Sequence, residues 1–405
     1  MHRPPLERHA ARALVAFAHV AAGALYCMGT QCASAAATSP EFERALSEST
    51  AALDAKRDST LSNASGPAVT SPLEISGDLR LRVQGDYSAP NTDDRESAQL
   101  RARMKAAYAL NSRVNLGARL TTGSAEDPNS TDVQLSNFDD DLDVSLDLAY
   151  AQLALDQLTV YAGKIPLPFA RTDLVWDADV NPQGVSALYA RGLASDAQLR
   201  FSSLYFIVDD QVSGGDSTMI GAQVKYEGAP SRNWKLNVSA AYYDYELGRA
   251  DGADEGDFRS NSRNPDGTYQ SDFNLCDFIV EFAWSGIEDR WPMKITADYV
   301  ANVGTKTAAD SGYAVDFSVG RASSSGDWRI GYGYSAAERD AIFAAFAHDN
   351  IALATNYRLH TLTVDYIPAP NTSVSAVWYR YAPKTTISNA GEWSDRLRVA
   401  LLFTF

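Results

Sequence analysis

From Leu73 to the carboxyl-terminus, apolar and polar residues change places at every second position. Leu73, Ile75, Leu79, Leu81, Val83 and Tyr87 alternate with Glu74, Asp78, Arg80, Arg82, Gln84 and Asp86. After a polar stretch, Ala98, Leu100, Ala102, Met104, Ala106 and Tyr108 alternate with Arg101, Arg103 and Lys105. Beyond a tight turn at Asn111, Ser112 and Arg113, Val114, Leu116, Ala118 and Leu120 alternate with Asn115, Gly117, Arg119 and Thr121. A period of two is that of a β-strand whose faces meet different environments. The final strand has the same grammar: Leu397, Val399, Leu401, Phe403 and Phe405 share one face, with Arg396 and Arg398 on the other. One such strand could equally be the edge of a soluble sheet, so the count and spacing of the others decide.

The pattern predicts strands near 73–87, 97–110, 113–122, 144–156, 158–165, 185–192, 197–208 and 218–228. Eight more fall near 233–246, 274–284, 293–303, 312–321, 327–334, 352–366, 372–381 and 395–405. The face assignment is ambiguous in the fourth, fourteenth and fifteenth. Connections alternate between short and long along the chain, so the two ends of the strands face different surroundings. The expected fold is all-β: a transmembrane, antiparallel, up-and-down β-barrel of about sixteen strands, with short periplasmic turns and longer external loops. Aromatic positions agree with it. Trp234, Trp284, Trp328, Phe403 and Phe405 map to the periplasmic rim, and Tyr87, Tyr242, Tyr299 and Tyr334 to the opposite one, as the two girdles of a membrane barrel would.

Composition is compatible with that fold and excludes others. The 405 residues carry a formal net charge of -16 and a mean hydropathy of -0.25. Beyond the amino-terminus no run approaches the ~20 apolar residues of a spanning helix. The acidic balance argues against a nucleic-acid partner. Arg3, Arg8 and Arg12 precede the apolar run 13–28, and a small-residue stretch follows, so residues 1–37 read as a secretory signal peptide cleaved near 35–37. Cys27 and Cys32 would leave with it, making Cys276 the single mature cysteine. Residues 38–72 read as a periplasmic leader, with a short helix or a disordered stretch over 41–61 and a Ser/Gly/Pro-rich linker after it. The barrel is expected over 73–405.

A barrel of this size leaves an aqueous channel, and its function depends on what narrows and charges that channel. Arg80, Arg82, Arg101, Arg103, Lys105, Arg119, Arg396 and Arg398 all lie on polar faces. Closure of the last strand onto the first would join them into one pore-lining basic wall. Like charges on adjacent strands repel, so a compensating partner is expected. Segment 163–184 offers one. Its prolines forbid a regular strand, while Phe169, Leu174, Val175 and Trp176 are too apolar to stay in water. Folded inward as a constriction loop, it would carry Lys164, Arg171, Asp173, Asp177 and Asp179 into the lumen and set the aspartates opposite the arginines. The alternative is an external loop packed on its neighbours or across a trimer contact.

The stretches GDLRLRVQGD (77–86), RLTTGSAEDPNST (119–131) and GKIPLPFARTDLVWDADVNPQG (163–184), with the terminal Phe405, resemble a family of outer-membrane porins from Gram-negative bacteria. The resemblance spans essentially the whole mature chain and is tightest over 77–184. It implies signal-peptide removal followed by membrane insertion, and a passive channel for small hydrophilic solutes or ions. Outer-membrane lipid and lipopolysaccharide, the barrel-assembly machinery acting through Phe405, and a second and third copy in a homotrimer are the partners expected.

Two other classes compete with the channel. An adhesin or structural barrel would work through external loops such as 247–273, but would have no use for an arginine wall facing water. A barrel enzyme needs a base beside a nucleophile. Only His348 and His360 survive signal cleavage, and neither has a serine two residues further on. His348 is expected in a loop, and His360 in the lumen or at an interface. No cysteine/histidine cluster has metal-ligand spacing and no glycine-rich phosphate loop opens a helix, so no cofactor is expected. The wall favours anions and the acidic loops favour cations, and the sequence does not rank the two fields.

Overall fold

The computed structural model describes residues 72–87, 94–124, 127, 129–135, 142–193, 197–210, 216–248, 260–285, 290–385 and 393–405. The expected signal peptide and leader lie outside them. The first strands are β1 (Leu73–Tyr87), β2 (Arg95–Ala109), β3 (Val114–Thr122), the two-residue β4 (Val133–Gln134), β5 (Val144–Leu155), β6 (Leu158–Lys164), β7 (Gln183–Gly192) and β8 (Gln198–Asp209). They continue with β9 (Ser217–Ser231), β10 (Trp234–Glu246), β11 (Phe273–Trp284), β12 (Met293–Asn302), β13 (Ser311–Gly320), β14 (Trp328–Ala337), β15 (Tyr357–Ala369), β16 (Thr372–Pro383) and β17 (Ser394–Thr404). Sixteen of them close an antiparallel barrel, each paired with its chain neighbours and β17 with β1. The short β4 pairs with the external end of β2.

Closure is what a strand in lipid requires, because an unpaired backbone group in hydrocarbon costs several kcal/mol. The seam between β17 and β1 runs from Asp78 opposite Thr404 to Tyr87 opposite Asp395. Phe405 completes it with two further backbone bonds to Gly77, at 2.9 and 3.0 Å. Apart from β3 (9 residues) and β6 (7 residues), the barrel strands run 10–15 residues, which at ~3.3 Å per residue and a tilt of about 40° matches an apolar belt of roughly 25 Å. That belt is the outer surface, where Leu79, Met104, Leu120, Ile220, Phe278, Ile295 and Tyr332 are exposed. At the short-turn end, Trp234 stacks on Trp284 at 5.5 Å and Trp328 on Tyr366 at 4.4 Å.

Differences from the sequence expectation have local causes. A β-bulge between Arg119 and Leu120 leaves Asp147 without a register partner. Asp147 and Leu148 are both buried in consequence, which is why the face of that strand could not be read from alternation. The strand expected at 352–366 begins at Tyr357 and runs to Ala369, because residues 352–356 belong to the segment that precedes it.

The interior is unlike a uniformly polar pore. Leu204, Phe206, Met219, Tyr243, Tyr245, Phe273, Leu275, Tyr357, Leu359, Tyr379 and Tyr381 form one buried apolar cluster. They lie on the inner faces of β8–β11, β15 and β16. Two inter-strand segments complete the cluster from within: 165–182, between β6 and β7, and 338–356, between β14 and β15.

Because the terminal residue closes the seam by backbone bonds, its removal should weaken the barrel more than Phe405→Ala, which keeps them. At about 1 kcal/mol net per bond, deletion should lower the midpoint of the heat-induced gel-mobility shift by several degrees beyond the alanine variant. Equal midpoints would place the terminal contribution in the ring alone.

Candidate functional site: the lumen constriction

The basic wall is assembled by register. Arg80 lies directly opposite Arg101, and Asp78 opposite Arg103. Lys105 is opposite Arg119, Gln84 opposite Arg398, and Asp86 opposite Arg396. Residues facing each other in register share a face, so the seven arginines line the lumen along β17, β1, β2 and β3. Lys105 lies half-buried beside Arg119 at the lower end of the row. Arg200 on β8, also inward, pairs with Glu227 at 3.0 Å.

Its compensating charge comes mainly from the wall itself. Asp78 accepts from Arg101 at 2.9 Å and Arg103 at 2.7 Å. Asp132 pairs with Arg80 and, at 2.6 Å, with Arg82. Asp147, delivered by the bulge, pairs with Arg119, and Asp86 with Arg396. Arg398 is held by neutral acceptors: Gln84 Oε1 at 2.8 Å, Asn350 Oδ1 at 3.0 Å and the Asp349 carbonyl at 3.2 Å. Among the described residues, seven arginines therefore meet five paired aspartates, and the wall keeps an excess of positive charge.

Segment 165–182 lies inside the barrel. Its base is Gly163 opposite Gly184, with φ of 120° and 152°. At either position a Cβ would collide with a strand carbonyl, that of Ala149 or Tyr205. Glycine is required where two strands turn inward this sharply. Beyond the base, Trp176 is fully buried, edge-on to Tyr243 at 5.5 Å and stacked on Phe346 at 5.6 Å. Phe169 meets Tyr243 at 5.1 Å. The Ala170 backbone bonds Gln223 on β9, and Thr172 bonds Asp298 on β12. These bonds tie the segment to the β9–β12 side of the barrel.

Of the three loop aspartates expected to face the arginines, one does so. Asp179 accepts from Arg103 at 3.3 Å and from Thr131 Oγ1 at 3.1 Å. Asp177 is buried away from the arginines and accepts the Asp179 amide at 2.7 Å. Asp173 takes Asn350 Nδ2 at 3.0 Å and Arg171 at 3.4 Å, and stays open to the lumen. Arg171 also bonds the Trp176 carbonyl at 2.9 Å, and Lys164 the Asn181 carbonyl at 3.3 Å; both brace the segment. The expectation of three aspartates aligned on the wall is corrected accordingly: the apolar anchor at Trp176 turns Asp177 away.

These positions separate the two neighbouring carboxyls. Burial raises Asp177 well above the usual carboxylate range, and Asp349, Asp179 and Asp173 push it the same way. Burial would raise Asp179 too, but Arg103, Arg101, Arg80 and Arg119 together outweigh it and hold Asp179 well below that range. Asp132 is likewise held low, by Arg80, Arg82 and Arg101 against the cost of burial.

Besides Asp147, sequence reasoning missed three aspartates and a whole segment. Asp78 and Asp86 share the inner face of β1 with Arg80 and Arg82, so the alternation already placed them there. Asp132 sits in a connection read simply as long. Segment 338–356 is a second inward element: its short 3-10 turn, Ala344–Phe346, is buried, and the Asp177 amide bonds the Phe346 carbonyl at 2.8 Å. The run AIFAAFA (341–347), as apolar as the first loop, was the available signal. His348 lies in this segment. His360 is on the outward face, its Nδ1 2.8 Å from the Tyr332 hydroxyl, and not in the lumen.

A closed sixteen-strand cylinder with an apolar belt outside and charge inside is the architecture of outer-membrane porins. The chain belongs to the family described as "Putative porin", whose sequence profile matches residues 55–274. No curated protein sequence matches it. Among solved structures, the loop L8 deletion mutant of OmpT, an outer membrane protein of Vibrio cholerae, superposes with a TM-score of 0.51 at 12% identity, covering 82% of this chain and 99% of that one. In-vitro folded OmpT of the same organism, in a trimer form, gives the same values. At that identity the likeness speaks for the fold alone. Family and fold together make this an outer-membrane β-barrel protein of the porin class.

The two carboxyls predict opposite pH responses. Asp179, held low, stabilises the segment above the unfolded-chain value of about 4, and that contribution is lost as pH falls. Asp177, held high, favours the fold while protonated, and its support is lost as pH rises through its folded value. Protection of the amides over 165–182, corrected for the intrinsic rise of exchange with pH, should therefore fall as pH rises above the ordinary carboxylate range in the parent and less so in Asp177→Asn. Asp179→Asn should lower that protection at neutral pH. The reverse ranking would disprove the assignment.

Proposed function

We propose that this protein is a passive diffusion porin in which solutes pass between the arginine wall and segment 165–182, with segment 338–356 bracing that segment from behind. One observation carries the reading: seven inward guanidiniums lie in register across β17, β1, β2 and β3, with fewer carboxylates paired to them. In a wet constriction, fixed charge of one sign sets ion preference. The excess here is positive, so the channel favours small anions and hydrophilic solutes bearing a negative group. Asp173, open to the lumen, moderates this from the facing side.

The remaining expectations fit this reading. Residues 1–37 would be removed as a signal peptide, and Phe405 would present the end of the chain to the assembly machinery. Outer-leaflet lipid and lipopolysaccharide would contact the belt, and three copies would associate. The catalytic reading has no support from the two histidines: His360 faces outward, and His348 is sealed against Tyr357 at 5.1 Å.

Single-channel recording in planar bilayers under a salt gradient tests the proposal. The parent should conduct, with a reversal potential on the anion side. Arg101→Ser combined with Arg103→Ser should move it toward cations. The same change removes partners from Asp78, and breaking a buried pair costs about 3–5 kcal/mol, so Arg396→Ser, at the end of the row, serves as the milder variant. An unchanged potential in both would remove the wall from the mechanism. Absence of conductance would favour a non-conducting barrel acting through its external loops.

A further inference from the structure

Segment 338–356 does more than brace its neighbour, because its tip reaches the arginine row. The segment is buried from Ala341 to His348 and half-buried at Asp349 and Asn350, so the tip stands on a packed base. From there the Asn350 side chain bonds in two directions. Its Nδ2 donates to Asp173 Oδ2 on segment 165–182, at 3.0 Å. Its Oδ1 accepts from Arg398 on β17 at 3.0 Å and from the Tyr379 hydroxyl on β16 at 3.3 Å. Backbone carbonyls hold the tip in place: that of Asn350 accepts from Arg396 at 3.0 Å, and that of Asp349 from Arg398 at 3.2 Å.

We infer that Asn350 is a crossbar over the permeation route and sets the size limit of the pore. The inference rests on the channel reading, in which solutes pass between the arginine row and segment 165–182. A side chain bonded to Arg398 on one side and to Asp173 on the other spans that gap. Register puts it at the outer end of the row. Arg396 and Arg398 lie opposite Asp86 and Gln84, toward the external end of β1, whereas Arg80, Arg101 and Arg103 lie further in. A solute entering from outside therefore meets the crossbar before most of the row. The Asp173 side chain is 57% exposed, so lumen water reaches one end of the crossbar. Arg398, at the other end, is 6% exposed, covered in part by the amide and carbonyls bonded to it. An amide suits this place because it offers donor and acceptor together: it satisfies a carboxylate and a guanidinium at once and adds no charge. Asn350 thus narrows the opening and leaves the field of the wall as it is. Size selection and charge selection fall to different residues, and can be separated by substitution.

Polymer exclusion tests the crossbar. Conductance of the full-length protein in planar bilayers is recorded in potassium chloride with polyethylene glycols of graded size, neutral probes that report width and ignore the charge of the wall. Asn350→Ala removes the amide and keeps both backbone carbonyls that hold the tip. It should conduct more than the parent and admit larger polymers, while the reversal potential in a salt gradient stays on the anion side. Asn350→Gln keeps an amide across the gap and should stay near the parent's cut-off. A heat-induced mobility shift with the parent's midpoint shows that each barrel is intact. An unchanged cut-off in Asn350→Ala overturns the crossbar and leaves the channel reading standing. A glutamine variant as wide as the alanine one assigns the widening to a loosened segment, and overturns it equally. Absence of conductance in the parent and both variants removes the channel reading, and the crossbar with it.

Discussion

A cylinder of sixteen strands is wider than its own side chains can fill, and the rest of this structure answers that constraint. Two connecting segments turn inward and bind each other as well as the wall. Trp176 from one stacks on Phe346 from the other; Trp176 also meets Tyr243 and Tyr245, and Phe346 meets Tyr245. The apolar half of the lumen is thereby sealed by the same burial that holds a soluble core together. The charged half, over β17 to β3, is left to water and to the edge of segment 165–182. The pore is lopsided by construction: one side is a packed core and the other a row of guanidiniums.

That row would be untenable alone. Two unit charges 4 Å apart repel by about 4 kcal/mol at the effective dielectric of a protein surface, and Arg80 sits directly opposite Arg101. Aspartates resolve most of this, with Asp78 on the same inner face bridging Arg101 and Arg103 and Asp132, from the connection after β3, bridging Arg80 and Arg82. Such bridges position the guanidiniums more than they stabilise the chain, since burying paired charge carries its own desolvation cost. Asp179 then links the two halves, because its bond to Arg103 ties the inward segment to the wall it faces.

Much of this could be read along the chain, and each failure has a cause. Alternation identified the barrel strands and the inner-face arginines, because a period of two projects directly onto inside and outside. It lost the face at residues 144–156, where the bulge at Asp147 inserts an extra residue and breaks the period. It misplaced the start of β15 because residues 352–356, though lying before a strand, line the inward segment. The apolar content of 163–184 correctly implied packing, yet not which aspartate would meet an arginine. The same reasoning, applied to 341–347, would have found the second inward segment.

The sequence by itself determined the class of molecule. Strand number, the sidedness of loops, the aromatic rims and the identity of the charged face all follow from short-range periodicity and length. Only the tertiary structure decided the interior. Whether a loop enters the lumen, what it stacks on, and which of Asp173, Asp177 and Asp179 reaches the wall depend on contacts between residues far apart in the chain, such as Arg103 with Asp179 and Asn129 with Ala347. No local pattern encodes these, because the partners become neighbours only after the last strand has closed on the first.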